Sequence, residues 1–204
     1  LCVIAEELGR FLAPVPFSSS VYLFTEAIIN YGTDEIKKDI LPKLVSGEVV
    51  GTLGVTEDLQ APTKDNITLS YVDGKINGKK IAVPDAGVAT HAVIVAKSDK
   101  GIGLQLVNLS SPGVTIEHQE NIDESRGHFS IALENVEGQL IGDIKGGWNL
   151  YESLINQAAV LFSYEQIGGS QASLDMAINY AKERYAFGRQ IGSFQAIKHK
   201  LADM

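Results

Sequence analysis

Residues 184–204 read RYAFGRQIGSFQAIKHKLADM, and this stretch decides how the rest of the chain is interpreted. The segment Phe187–Gly192 contains two glycines and predicts a turn, because glycine adopts backbone conformations that other residues avoid. From about Ser193 onward the apolar residues recur three and four positions apart, at Phe194, Ile197, Leu201 and Met204. This spacing predicts a helix.

The segment before this stretch predicts one long helix. Residues Trp148 to Arg184 include no proline, and their only glycines are the pair Gly168-Gly169. At about 1.5 Å per residue such a helix would be roughly 50 Å long, which suits a large helical bundle. Because glycine lowers intrinsic helix stability, the glycine pair predicts a place where two helices approach closely.

Between residues 49 and 144 the pattern changes to short β-rich runs separated by turn residues. The run around Asp73-Gly74 predicts a hairpin with that dipeptide at its tip. Many short strands at this spacing predict an antiparallel barrel or sandwich. The predicted strands are Val49–Val55, Ile67–Val72, Lys75–Val83, His91–Ala96, Gly103–Leu109, Val114–Glu117 and His128–Val136.

Helical spacing also characterises the first part of the chain. The predicted helices are Leu1–Leu12, a second from about Ser20 to Tyr31, and a third that is capped by Thr33, interrupted by Pro42 and closed by Gly47. Both chain ends lie inside helical patterns, so we interpret the chain as part of a longer protein. The predicted fold class is a multidomain α+β protein: residues 1–48 end an N-terminal helical domain, residues 49–145 form the β-domain, and residues 146–204 begin a C-terminal helical bundle.

Composition argues against several classes of function. The net charge is −8, and an acidic surface repels nucleic acid. No apolar run of about 18 residues is present to predict a membrane span. The four histidines are far apart without paired spacing, so no metal site is predicted. No signal peptide is visible, and the predicted location is the bacterial cytoplasm.

The C-terminal stretch closely resembles the signature of the acyl-CoA dehydrogenase family, which has Arg-x-x-Phe-Gly, then Phe-Gln, then Leu-Ala-Asp-Met. The order of helices, β-domain and long helix is similar as well. The resemblance implies that FAD binds at a subunit interface. It further implies that Arg184 donates to the pyrophosphate of a neighbouring subunit's FAD, that Phe187 packs against the dinucleotide, and that Gln195 supplies an amide.

Within the β-domain, the resemblance places Val55 and Thr56 in the loop that meets the flavin ring. Other positions depart from the family pattern. The loop lacks the usual glycines and has Pro62 where the family has serine, while Ala82 replaces a flavin-facing aromatic residue and Pro84 replaces a threonine. The partner-facing residues therefore persist while the residues around the chain's own flavin are changed.

The resemblance also implies the reaction, which is α,β-dehydrogenation of an acyl-CoA thioester with electrons passed to an electron-transfer flavoprotein. Most family members carry the catalytic glutamate in later C-terminal helices. A minority carry it on the long helix, where this chain has Ala158, and neither Glu152 nor Glu165 occupies that position. We predict no catalytic residue within this chain.

Three hypotheses remain open from the sequence. The protein could be a homo-oligomeric enzyme of a divergent branch, or a non-catalytic subunit that completes a flavin site in a hetero-oligomer. A third alternative is a relative that reacts its flavin with oxygen, as acyl-CoA oxidases do.

Overall fold

The β-rich runs form one eight-stranded sheet in the computed structural model, which describes residues 1–123 and 125–204. The strand order is β6-β7-β3-β2-β4-β5-β8, and β1 pairs with β4 beside this path. The strands are β1 Gly51–Gly54, β2 Ser70–Val72, β3 Lys75–Pro84, β4 His91–Ser98, β5 Gly101–Asn108, β6 Val114–Gln119, β7 His128–Glu137 and β8 Gln139–Ile141.

The α+β class is confirmed, and the predicted antiparallel barrel or sandwich describes the sheet only loosely. The hydrogen-bonded strands do not close into a barrel, and both β1 and β2 run parallel to β4. Both parallel pairs involve β4. Along one edge, β4 is paired over its whole length with β5. The other edge is therefore shared, with β1 beside His91–Ile94 and β2 beside Lys97.

The predicted hairpin tip at Asp73-Gly74 is confirmed. Val72 pairs with Lys75, which leaves a two-residue loop, and both loop residues have positive φ, 49° at Asp73 and 79° at Gly74. This conformation matches the right-handed twist of the flanking strands and favours an Asp-Gly sequence.

A cluster of buried side chains forms a core in the β-region. The core side chains are aliphatic and include Leu69, Ile76, Val83, Ala92, Ile94, Val107, Ile131, Leu133 and Val136. Phe129, Ile116 and Tyr71 pack against them while partly exposed.

Gln105 is an unusual member of the buried residues of β5. It is fully buried, and neither amide atom has a hydrogen-bond partner among the described residues. Because a buried polar group without a partner costs roughly 1–3 kcal/mol, we expect Gln105→Met to raise the free energy of unfolding by about that amount in chemical denaturation. Gln105→Glu is a control with the opposite expected effect, because it buries a charge and should lower the free energy of unfolding. A less stable methionine variant would show that the amide is hydrogen bonded in solution.

The helices are α1 Cys2–Arg10, α2 Glu26–Tyr31, α3 Asp34–Ser46, α4 Gly147–Glu183 and α5 Gln195–Asp203, with a π-helical segment at Ser18–Thr25 and a 3-10 turn at Ile191–Ser193. A two-stranded hairpin, β9 Tyr185–Ala186 and β10 Arg189–Gln190, joins α4 to this turn. The long helix is confirmed within one residue at each end. No helix of residues 1–123 or 125–204 is both long and apolar enough to cross a membrane.

The second predicted helix is in fact two segments. Its first part is π-helical, and three consecutive serines there bond to three different parts of the β-region. Ser18 accepts from Arg126, Ser19 donates to Asp85 (2.6 Å), and Ser20 accepts from the Gly51 N–H (3.1 Å). A π-helical turn is wider than an α-helical one. The helical spacing of apolar residues in the sequence does not distinguish the two.

The prediction that Pro42 interrupts the third helix is wrong, because α3 continues through it to Ser46. Pro42 is exposed, so water can bond to the backbone carbonyl that proline leaves without a donor. The caps are confirmed: the Thr33 hydroxyl accepts from the Ile36 N–H, and Gly47 ends the helix with a φ of 76°.

The chain divides into two units, Leu1–Ala13 with Ala159–Met204, and Pro14–Ala158. In the first unit α1 packs closely on α4, because a Cβ at Gly168 would lie 1.8 Å from the Glu6 carbonyl oxygen. The predicted close helix contact at Gly168 is thus confirmed. The division of the chain at residues 48 and 145 stays a prediction.

Candidate functional site

The hairpin after α4 holds Arg184 and Phe187 in fixed positions. The Arg184 N–H donates to the Tyr180 carbonyl and continues the helical pattern, while the Arg184 carbonyl accepts from the Ile191 N–H, both at 2.8 Å. Ala186 pairs with Arg189, so Phe187 and Gly188 form a two-residue tip. The tip is therefore tied to the end of a long helix and is not a free loop.

Phe187 is both exposed and conformationally strained. Its exposed fraction is 95%, and its φ is 54°, next to 77° at Gly188. A left-handed conformation costs roughly 1–2 kcal/mol for a residue with a Cβ. Since the exposed ring adds little burial to offset this cost, the tip has the strained backbone that is typical of functional sites.

Aromatic and cationic groups surround this tip. The rings of Phe187 and Phe194 meet edge to face, with centroids 6.2 Å apart, and the Arg189 guanidinium carbon lies 4.0 Å from the Phe194 centroid. Gln195 follows as the exposed first residue of α5. Arg184, Phe187 and Gln195 are thus all exposed in the first unit, and Phe187 contacts Phe194, the residue directly before Gln195.

Arg189 and Phe194 support this group, and sequence reasoning did not assign them a role. The sequence feature that could have indicated a role is their position, because Arg189 directly follows Gly188 and Phe194 directly precedes Gln195.

Val55 and Thr56 lie in the second unit, directly after β1. The Val55 carbonyl accepts from the Lys80 ammonium at 2.9 Å, and the Thr56 carbonyl accepts from the Ile81 N–H at 2.8 Å. The Thr56 hydroxyl makes no hydrogen bond to the described part of the chain. Both residues are partly exposed, so this hydroxyl is available to a ligand.

A buried ion pair that the sequence analysis missed lies beneath this loop. Lys80 donates to Glu57 at 2.6 Å, and the side chains are 0% and 10% exposed. Glu57 also accepts from the Thr68 N–H (2.9 Å), the Thr68 hydroxyl, and the Leu69 N–H (3.1 Å). No periodic pattern signals this pair, because its members are 23 residues apart.

Burial and ion pairing shift the pKa values of both Lys80 and Glu57. Burial lowers the pKa of Lys80 to about 8, and the hydrogen bond to Glu57 only partly opposes it. For Glu57, burial raises the pKa, but the hydrogen bonds from Lys80, Thr68 and Leu69 and the charge of Lys80 oppose it, and the pKa lies below its ordinary value. The carboxylate is thus charged at neutral pH.

The end of β3, where the sequence departs from the family pattern, is shaped by its own hydrogen bonds. The pairing register shifts between Lys80 and Val83, and Ala82 is exposed with a φ of 50°. The Ala82 N–H donates to the Gln119 side chain at 2.7 Å, and the Pro84 carbonyl accepts from Thr52 at 2.6 Å. Neither Ala82 nor Pro84 can supply an aromatic face or a side-chain donor.

Ala158 lies on α4 and is 1% exposed. Its methyl group cannot accept a proton. Glu152 is exposed on the same helix and lines a cavity with Pro62, Trp148 and Tyr151.

Two family descriptions match this chain. The acyl-CoA dehydrogenase N-terminal domain matches residues 1–48, and the acyl-CoA dehydrogenase C-terminal domain matches residues 145–204. A probable acyl-CoA dehydrogenase, YngJ of Bacillus subtilis (strain 168), is 31% identical over 216 residues, which cover 98% of this chain and 57% of YngJ. The chain thus spans little more than half the length of this curated relative.

Solved structures are similar over almost the whole chain. A variant of the Tcur3481-Tcur3483 steroid ACAD has a TM-score of 0.84 and 29% identity, covering 99% of this chain and 55% of that one. A glutaryl-CoA dehydrogenase from Mycobacterium smegmatis in complex with FADH2 has a TM-score of 0.83 and 25% identity, covering 91% and 50%. The motif, the fold and these similarities agree, and the chain belongs to the FAD-dependent acyl-CoA dehydrogenase family.

Proposed function

We propose that this protein takes part in the FAD-dependent α,β-dehydrogenation of an acyl-CoA thioester. The observation that supports this proposal is the exposure of Arg184, Phe187 and Gln195, which lie in and beside the hairpin of the first unit. A guanidinium, a phenyl ring and a carboxamide are suited respectively to a pyrophosphate, a flat ring system and its polar edges.

The residues present fit the dinucleotide part of FAD. Arg184 would donate to the pyrophosphate, Phe187 would pack against the dinucleotide, and Gln195 would offer both a donor and an acceptor. Since all three residues are exposed, we propose that the FAD they hold belongs to a neighbouring protomer. The strained conformation of Phe187 would be offset by the burial of its ring in the assembled site.

In the second unit, Val55 and Thr56 would meet the flavin ring. The backbone of these residues is fixed by hydrogen bonds from β3, and the Thr56 hydroxyl is available as a donor. Bound FAD would supply the acceptor for the two electrons taken from the thioester's Cα–Cβ bond. An electron-transfer flavoprotein as the next electron acceptor, and the bacterial cytoplasm as the location, both stay predictions.

A second candidate function is that of a non-catalytic subunit in a hetero-oligomer. The observation that favours it is the end of β3, where Ala82 and Pro84 offer the flavin neither an aromatic surface nor a side-chain donor. In that case Arg184, Phe187 and Gln195 (the trio) would complete a flavin site that is formed mainly by another protein. Full FAD occupancy of the protein expressed alone would reject this alternative.

We expect Phe187→Asn to weaken FAD binding by about tenfold or more, because burial of a phenyl ring in the complex is lost. Asparagine tolerates positive φ, so the hairpin should keep its structure and its unfolding temperature. The measurement is FAD titration together with acyl-CoA-dependent dye reduction. Tyr185→Asn, on the same hairpin but outside the trio, is the control and should retain FAD. Equal affinities for the Phe187 variant and the wild type would contradict the proposed site.

A further inference from the structure

The loop Val55–Glu57 is held on two sides by hydrogen bonds that do not belong to the sheet ladder. From β3, the Lys80 ammonium bonds to the Val55 carbonyl and to Glu57, and the Ile81 N–H bonds to the Thr56 carbonyl. From the segment before β2, Thr68 and Leu69 donate to the Glu57 carboxylate. Lys80 therefore bonds to the backbone of this loop, and the Glu57 carboxylate ties the loop to β3 and to the segment before β2.

Because the peptide group is planar, these contacts also fix the directions of two backbone N–H groups, those of Thr56 and Glu57. In a trans peptide the carbonyl of one residue and the N–H of the next lie in one plane and point in opposite directions. When Lys80 fixes the Val55 carbonyl, the Thr56 N–H must point away from Lys80. When Ile81 fixes the Thr56 carbonyl, the Glu57 N–H must likewise point away from Ile81.

Neither of these N–H groups donates to a residue that the structure describes, and Thr56 and Glu57 are both partly exposed. The loop thus presents two neighbouring backbone donors and the Thr56 hydroxyl. Such a set suits the carbonyl and ring-nitrogen acceptors of a flavin.

We propose that Lys80 and Glu57 are positioning residues of the flavin site. Lys80 aims the Thr56 N–H at the ring through the Val55 carbonyl, and the Glu57 carboxylate holds the loop against β3 and the segment before β2. The inference rests on the proposed function, because it takes the flavin as the ligand of this loop. Lys80 and Glu57 act through the backbone of the loop, and no contact of their charged groups with FAD is required.

The contrast with an exposed ion pair of β3 supports this role. Lys75 and Glu137 join β3 to β7 at 3.0 Å, yet their side chains are 43% and 86% exposed. A buried pair costs desolvation that well-packed apolar residues avoid, so stability alone does not require one here. The Lys80–Glu57 pair instead makes directed bonds to backbone groups that an apolar side chain could not make.

The test compares FAD affinity with folding in the complete protein. The informative variant is the double substitution Glu57→Gln and Lys80→Met, which removes both buried charges together and so avoids leaving one unpaired. We expect it to fold, with FAD affinity at least about tenfold weaker than the wild type and a shifted visible absorption spectrum of the bound flavin. Lys80→Met alone should show the same loss of affinity. Lys79→Met, the same substitution one position away on an exposed side chain, should bind FAD as the wild type does.

The outcomes separate this inference from the proposed function. Wild-type affinity and an unchanged flavin spectrum in a folded double variant would overturn the positioning role and leave the proposed function in place. A wild-type protein that binds no FAD, alone or with its partner subunit, would overturn the proposed function itself. If Lys80→Met does not fold, the double variant decides.

Discussion

Gly168→Ala is expected to destabilise the first unit by about 3 kcal/mol or more. A Cβ on Gly168 would lie 1.8 Å from the Glu6 carbonyl oxygen and 2.9 Å from the Arg10 backbone nitrogen. Both atoms belong to the backbone of α1, so no side-chain rotation can make room. The helices would have to separate, which would also disturb the 3.3 Å contact between Arg10 and Asp175. The measurement is the free energy of unfolding by chemical denaturation.

Gly169→Ala provides a control at the adjacent position of the same helix. Here the nearest atom to an added Cβ, the Gly9 carbonyl oxygen, is 3.5 Å away, which is ordinary van der Waals contact. Because alanine favours a helix over glycine by up to about 1 kcal/mol, this variant should be as stable as the wild type or more so. Similar losses for both variants would show that the helix crossing at Gly168 is not the cause.

Lys80→Met is expected to lower the free energy of unfolding by about 3–5 kcal/mol, because it leaves the Glu57 carboxylate buried without its cation. Thr68 and Leu69 would still donate to Glu57, so hydrogen bonding is only partly lost. The effect should be seen in chemical denaturation near neutral pH, where Glu57 is charged.

Two comparisons isolate the buried charge as the cause. Lys79→Met removes an exposed partner of Glu117 and should change stability by less than about 1 kcal/mol. Adding Glu57→Gln to Lys80→Met should recover most of the lost stability, because neither charge then remains. A double variant as unstable as Lys80→Met would point to lost packing of the lysine stem.

Features that depend on neighbouring residues were predictable from the sequence. Asp73-Gly74 fixes its turn because both residues accept positive φ, and Thr33 and Gly47 bound α3 through local caps. The length of α4 followed from the absence of proline over its course. The Arg-x-x-Phe-Gly motif identified the family.

Other local predictions failed where tertiary contacts outweigh local preference. The short strand β8 was not predicted, since its three residues pair with β5 from a distance in the sequence. The π-helical turn at Ser18–Thr25 depends on the β-region groups to which its serines bond.

The sequence by itself determined the family and the order of helical and β-rich segments, because these depend on local periodicity, turn chemistry and a contiguous motif. The residues that would hold a dinucleotide stay a prediction from that motif. Only the tertiary structure decided that β1 and β2 share one edge of β4, and that Lys80 reaches Glu57 and Val55 beneath the candidate flavin loop. The physical reason is that strand pairing and buried ion pairs join residues tens of positions apart. Their energies arise only once the chain has brought those residues together and removed water from between them.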